Sequence, residues 1–249
     1  MTKLYLARAA VFCNLILAAS IARADQGLLA EIAGAPDPEQ LRATIKALVG
    51  FGTRHTLSAD APTRGIGAAR RYVQDRFEQM SRACAGCLAI VTPSQRFTGP
   101  RAPQGVEVKD VVAIQRGDRD PERVIIITGH IDSRVSDILN ATSDAPGADD
   151  DASGVAAVIE AARVLSRHHF AATLVYGVLS GEEQGLYGGK VLADYAKTQG
   201  WRLEADLNND IVGSIHGQNG VVDNTRVRDR KSTRLNSSHC TVSRMPSSA

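Results

Sequence analysis

The sequence predicts an α/β fold: a mixed, mainly parallel β-sheet flanked by helices. Three observations carry this. The continuous β-branched run Val124–Ile127 in "RVIIITGHIDSR" is typical of a strand buried on both faces, and "ATLVYGVLS" reads as a second buried strand. Segments with a helical apolar stripe follow each of them. A third strand or strand end lies in "LEADLNNDIVG", which completes the order strand, helix, strand, helix, strand.

The elements are justified in chain order. "LLAEIA" and "DPEQLRATIKALVGFG" read as helical, the second opened by Asp37 as cap and Pro38 in the first turn. "TRGIGAARRYVQDRFEQMSRA" carries Ile66, Tyr72, Val73 and Phe77 on one helical stripe. "VEVKDVVAIQRG" alternates and reads as one strand. In "SGVAAVIEAARVLSRH" the residues Val155, Val158, Ile159, Ala162 and Leu165 form the inward face of a helix, and "GLYGGKVLADYAKTQG" is a helix stopped at Gly200.

The 249 residues suit one sizeable domain or two small ones, and 43% hydrophobic with 22% charged residues is ordinary for a globular chain. The first 24 residues have a basic start (Lys3, Arg8), an apolar run from Ala9 to Ala19 and the small-x-small triplet Ala22-Arg23-Ala24. That is the pattern of a secretory leader cut before Asp25, too short to span a bilayer. A secreted or periplasmic location and no membrane attachment after cleavage are expected. The net charge of +2 is a property of the ends. Residues 1–24 contribute +3 and residues 229–249 another +3, which leaves −4 for residues 25–228. No basic patch interleaved with aromatics exists, so nucleic acid is not an expected partner. Cys84-Ala85-Gly86-Cys87 would be a redox or metal motif in the cytosol. In an exported chain Cys84 and Cys87 are instead a disulfide candidate.

The chemistry-bearing residues gather at strand ends. His130 and Asp132 follow the first buried strand, Glu182 and Glu183 the second, and Asp210 the third, while "APGADDDASG" precedes the intervening helix. Sites in open α/β sheets form beyond the carboxyl ends of the strands. Three adjacent aspartates disfavour one another's ionisation, which a solvated loop tolerates and a divalent cation rewards. A histidine among four or five carboxylates points to a metal that accepts imidazole, such as zinc.

The segments "TGHIDSR", "APGADDDASGVAAVIEAARVL", "LSGEEQGLYGG" and "LNNDIVG" resemble, in order and spacing, the co-catalytic two-zinc aminopeptidases, a family with bacterial leucyl aminopeptidases and aminopeptidase Y. "FGTRHT" and "RGIGAARRYV" resemble its N-terminal part. The resemblance implies the zinc-dependent exopeptidase fold, two zinc ions and a peptide substrate. His130 and Asp210 would bind one zinc, Asp150 would bridge both ions, and Glu183 would bind the other. Glu182 would be the general base, and Asp132 would orient His130 through its second ring nitrogen. Asp149 and Asp151 would position the loop, and the Asp150–Asp151 peptide bond would be cis. His55, His168, His169 and His216 have no such support and read as non-ligands. A glutaminyl cyclase-like acyltransferase and a non-catalytic binding module on the same fold are the alternatives. "GADDDASG" favours the peptidase branch, and ligands present up to Asp210 argue against the module.

The family places its last ligand, a histidine, well downstream of Asp210, and nothing here matches that segment. Instead "DRKSTRLNSSH" and "SRMPSSA" read as a sequencing adapter translated in frame. The expectation is therefore a leader over 1–24, a C-terminally truncated catalytic domain over 25–228, incomplete at the C-terminus, and a non-native tail over 229–249. Such a chain is expected to bind at most one zinc tightly and to show little peptidase activity.

Overall fold

The computed structural model describes residues 26–216 and 220–223; the leader and the tail lie outside the described residues. The chain divides at Pro36 into two units. In the first, residues 26–34 form a helix (α1). Everything below concerns the second, which starts at Asp37.

Helix α2 spans Pro38–Gly50. Asp37 caps it by accepting from the Glu39 N–H at 2.9 Å, with proline in the first turn where no donor is needed. Helix α3, Gly65–Ala83, buries Ile66, Ala69, Val73, Phe77 and Met80, a spacing of three or four residues that makes one apolar face. A disulfide joins Cys84 to Cys87 between the end of α3 and strand β1, Leu88–Val91.

"VEVKDVVAIQRG" is two strands rather than one. Strand β2 (Ser94–Gly99) and strand β3 (Ala102–Lys109) form a separate antiparallel hairpin. Strand β4 (Val111–Gln115) enters the main sheet. The break falls at Asp110, whose N–H donates to Pro93 O at 3.0 Å and whose buried carboxylate accepts from Ser180 N–H at 2.9 Å. A buried carboxylate bonded to another loop cannot keep the strand's alternation. The pattern shows no interruption at Asp110 because the half-buried β3 runs directly into β4, which is buried along nearly its whole length.

Strand β5 is Asp120–His130, helix α4 Ala152–Leu165, strand β6 Ala172–Leu179, helix α5 Tyr187–Thr198 and strand β7 Arg202–Asn208. The sheet order is β1-β4-β6-β5-β7. β1–β4 and β4–β6 pair antiparallel, and β6–β5 and β5–β7 parallel. The sheet is thus mixed, with only β4 running against the other four. Helices cover both faces. Leu174, Tyr176 and Val178 of β6 pack with Leu48, Val73, Phe77, Val155 and Ile159 of α2, α3 and α4. Val175 points the other way, with Val124, Ile126 and Leu192 of α5. The period of two along β6 sorts its side chains between two cores. Among the described residues, no helix is long and apolar enough to cross a membrane.

Candidate metal centre

Parallel register brings the predicted residues together. His130 pairs with Leu179 and Thr128 with Asn208, so β5, β6 and β7 end at one level. The loops that leave them carry Asp132, Glu182–Glu183 and Asp210, and α4 begins beside them. Close backbone contact makes this possible. A Cβ on Gly154 would lie 2.2 Å from Asn209 O, and one on Gly129 would lie 2.8 Å from Gly154 C. Glycine at both positions lets the start of α4 touch the ends of β5 and β7.

The aspartate triplet divides its work. Asp151, fully buried, accepts from His130 N–H at 3.0 Å, from Gly154 N–H at 2.9 Å and from Ile211 N–H at 3.3 Å. It caps α4 and ties that cap to the ends of two strands. Asp149 accepts from Gly213 N–H at 3.0 Å. Asp150, between them, leaves its carboxylate to the site, 3.1 Å from His130 Nε2. The Asp150–Asp151 peptide bond is cis.

His130 Nδ1 lies 3.1 Å from Asp132 O and 3.5 Å from Asp132 Oδ1. A proton held there leaves Nε2 as the outward nitrogen. Nε2 also lies 4.0 Å from Asp210 Oδ1. Burial opposes a charge on His130, yet hydrogen bonds to Asp132 and Asp150 and the charges of Asp132 and Asp151 outweigh it. They push its pKa up to about 11. The carboxylates around His130 thus favour positive charge at this point. Burial pushes Asp151 up to about 7, with the charge of Asp210 adding to the rise.

His130, Asp150 and Asp210 each offer one ligand atom, and these atoms lie within 4.8 Å of one another. An imidazole whose Nδ1 faces Asp132 and whose Nε2 faces two carboxylates half open to solvent fits a divalent metal. Glu183 is not in that group. Its carboxylate is held by Arg134 Nε at 2.6 Å, and its carbonyl accepts from Arg101 Nη1 at 2.8 Å. The turn that carries Glu182 and Glu183 hangs on Asp132, which accepts both backbone N–H groups at 3.1 and 3.0 Å and the Thr56 hydroxyl at 2.9 Å. Burial raises the Glu182 carboxyl above the usual range, and the charges of Asp132, Glu183 and Asp210 add to this.

His55 is buried with both ring nitrogens engaged: Nδ1 accepts from Leu57 N–H at 3.1 Å and Nε2 is 3.0 Å from Ile138 O. His168 and His169 follow α4 at the end remote from the site, and His216 pairs by its backbone with Val222. The residues that pattern reading missed are Arg54, Thr56, Arg101 and Arg134. "FGTRHT" marked Arg54 and Thr56 and "TGHIDSR" marked Arg134, each as a likeness without a role, and nothing marked Arg101.

The profile of peptidase family M28 matches residues 110–242. Among curated proteins, the chain is 43% identical over 216 residues to a "probable zinc metalloprotease" of Pyricularia oryzae, covering 86% of this chain and 42% of that protein. It is 45% identical over 192 residues to one of Pyrenophora tritici-repentis, covering 76% and 40%. The chain therefore spans less than half the length of these relatives. Among solved structures, the LapA aminopeptidase of Legionella pneumophila superposes with a TM-score of 0.58 at 21% identity, covering 76% of this chain and 47% of that one. A glutaminyl cyclase of Fimbriiglobus ruber gives 0.56 at 18% identity, covering 70% and 61%. At such identities these structures share the fold. The sequence match itself, which runs over more than half the chain and through all four acidic segments, makes this protein a member of peptidase family M28.

Proposed function

We propose that the protein is an exported zinc-dependent exopeptidase of the aminopeptidase type, acting on the N-terminal residues of peptides in the periplasm or outside the cell. The observation that carries this is the convergence of His130, Asp150 and Asp210 at the ends of the parallel strands of an M28 chain. In this reading His130, Asp150 and Asp210 would hold one zinc, and Asp150 and Glu183 would serve a second. When bound, zinc supplies Lewis-acid polarisation of the scissile carbonyl and a nucleophile at neutral pH.

The chain's own residues do the rest. Asp132 holds the proton of His130 on Nδ1 and, through two backbone N–H groups, sets where Glu182 and Glu183 stand. Glu182 takes the proton of the attacking water on its carboxylate and returns it to the leaving amine. A carboxyl raised by burial is suited to that exchange. Glu183, whose carboxylate is held by Arg134, would have to give up that ion pair to serve as a ligand. Hydrolysis is favoured over glutaminyl cyclisation because the relatives of 43 and 45% identity carry metalloprotease names, whereas the cyclase likeness is one of fold.

The test is metal analysis after dialysis, followed by parallel assays on leucyl-p-nitroanilide and on a glutaminyl peptide. Retained zinc that is lost on Asp150→Asn supports the reading, as does a preference for the nitroanilide. No retained zinc overturns it, and cyclisation alone replaces it with the acyltransferase.

A further inference from the structure

The segment Thr53–Thr56 lies under the site, and Arg54 is its centre. Arg54 is fully buried, yet its guanidinium forms no ion pair with a carboxylate among the described residues. Nε donates to Ile131 O at 2.7 Å, Nη1 to Pro146 O at 2.6 Å and Leu48 O at 3.2 Å, and Nη2 to Gly147 O at 2.9 Å. One planar group thus joins the residue after His130 to the residues that lead into the aspartate triplet. The backbone repeats the connection: Arg54 N–H donates to Ser133 Oγ at 3.1 Å, and that hydroxyl donates to Ala145 O at 2.7 Å. Gly147, at φ +48°, leaves no room for looser packing, since a Cβ there would lie 2.8 Å from Arg54 Nη2 and 2.6 Å from Ser133 Cβ.

A buried cation bonded, among the described residues, to carbonyls can act in two ways. It can offset the carboxylates above it, or it can fix distances. A rigid fork with donors aimed at carbonyls of three chain segments does the second in a way no ammonium can. We propose that Arg54 is a positioning residue of the metal centre: it clamps Pro146–Gly147 to Ile131 and so sets Asp150 against His130. The proposal rests on the ligand set given under Proposed function.

The test compares the full chain with Arg54→Lys, Arg54→Met and Ser133→Ala. Two quantities are read separately: stability of the metal-free protein to urea, and affinity for zinc by calorimetric titration, with the visible absorption of added cobalt(II) reporting ligand geometry. Positioning predicts that folded Arg54→Lys and Arg54→Met both bind zinc at least about tenfold more weakly with an altered cobalt spectrum, as loss of outer-shell support does. If charge alone mattered, Arg54→Lys would bind like the wild type and Arg54→Met more tightly; either result overturns the proposal. A merely structural residue would lower urea stability and leave zinc affinity of the folded protein unchanged, which also overturns it. Should both Arg54 variants fail to fold, Ser133→Ala decides: weaker zinc binding supports the clamp, and unchanged binding overturns it. A wild-type chain that takes up no zinc overturns the ligand set and the clamp together, whereas normal wild-type binding with unaltered variants overturns the clamp alone.

Discussion

Asp149 and Asp151 flank the same residue, and their structural surroundings predict unequal costs of removal. Asp151→Ala removes the cap of α4, a loss of about 1 kcal/mol. It also leaves the buried His130 N–H without its acceptor, which costs roughly 1–3 kcal/mol. The longer bond from Ile211 N–H adds about 0.5 kcal/mol. Release of a buried carboxylate from its acidic neighbours offsets part of the sum, so a net loss of about 2–4 kcal/mol is expected. Asp149→Ala gives up a bond from an exposed backbone N–H and a long 3.5 Å one from Ser153 Oγ, and should cost at most about 1 kcal/mol. For a domain of this size the Asp151 variant would melt about 4–16 °C lower. Urea unfolding in the presence of a chelator, followed by far-UV circular dichroism, measures both variants without metal linkage. If the two losses agree within about 0.5 kcal/mol, the division of roles within the triplet is wrong.

Three further outcomes are expected. Asp150→Asn should abolish zinc uptake, while Glu183→Gln should leave the first equivalent bound, since only Asp150 belongs to the three-ligand group; equal loss in both titrations would contradict that grouping. Glu182→Gln should keep zinc affinity within about threefold while any hydrolysis of leucyl-p-nitroanilide falls by about 10²-fold or more, and near-normal turnover with metal bound would remove Glu182 as the base. Burial raises the Asp110 carboxyl well above the carboxylate range, so the folded protein keeps a proton that the unfolded chain releases above about pH 4. Stability should therefore fall as pH rises from about 4 through the folded value, and Asp110→Asn, which carries no charge, should escape that fall. Parallel urea-stability profiles for the two proteins across this window would show that Asp110 is not the group responsible.

Much of the architecture is written locally. The β-branched run at Val124–Ile127, the stripe from Val155 to Leu165 and the Asp37-Pro38 start are each set by neighbours in the chain, and each forms the element its pattern demands. Residues following parallel strands must emerge on one side of the sheet, which is why His130, Asp150 and Asp210 could be grouped from the sequence. What tertiary structure alone decided lies in contacts with no period. The split at Asp110 depends on Ser180, 70 residues away, and the hold on Glu183 comes from Arg134, 49 residues before it. The burial of Arg54 depends on carbonyls 77 to 93 residues along the chain as well as on nearby Leu48. Periodicity records which face of an element is apolar. It does not record which distant carbonyl or carboxylate a polar side chain will meet, because that partner is fixed only when the loops close over the ends of the sheet.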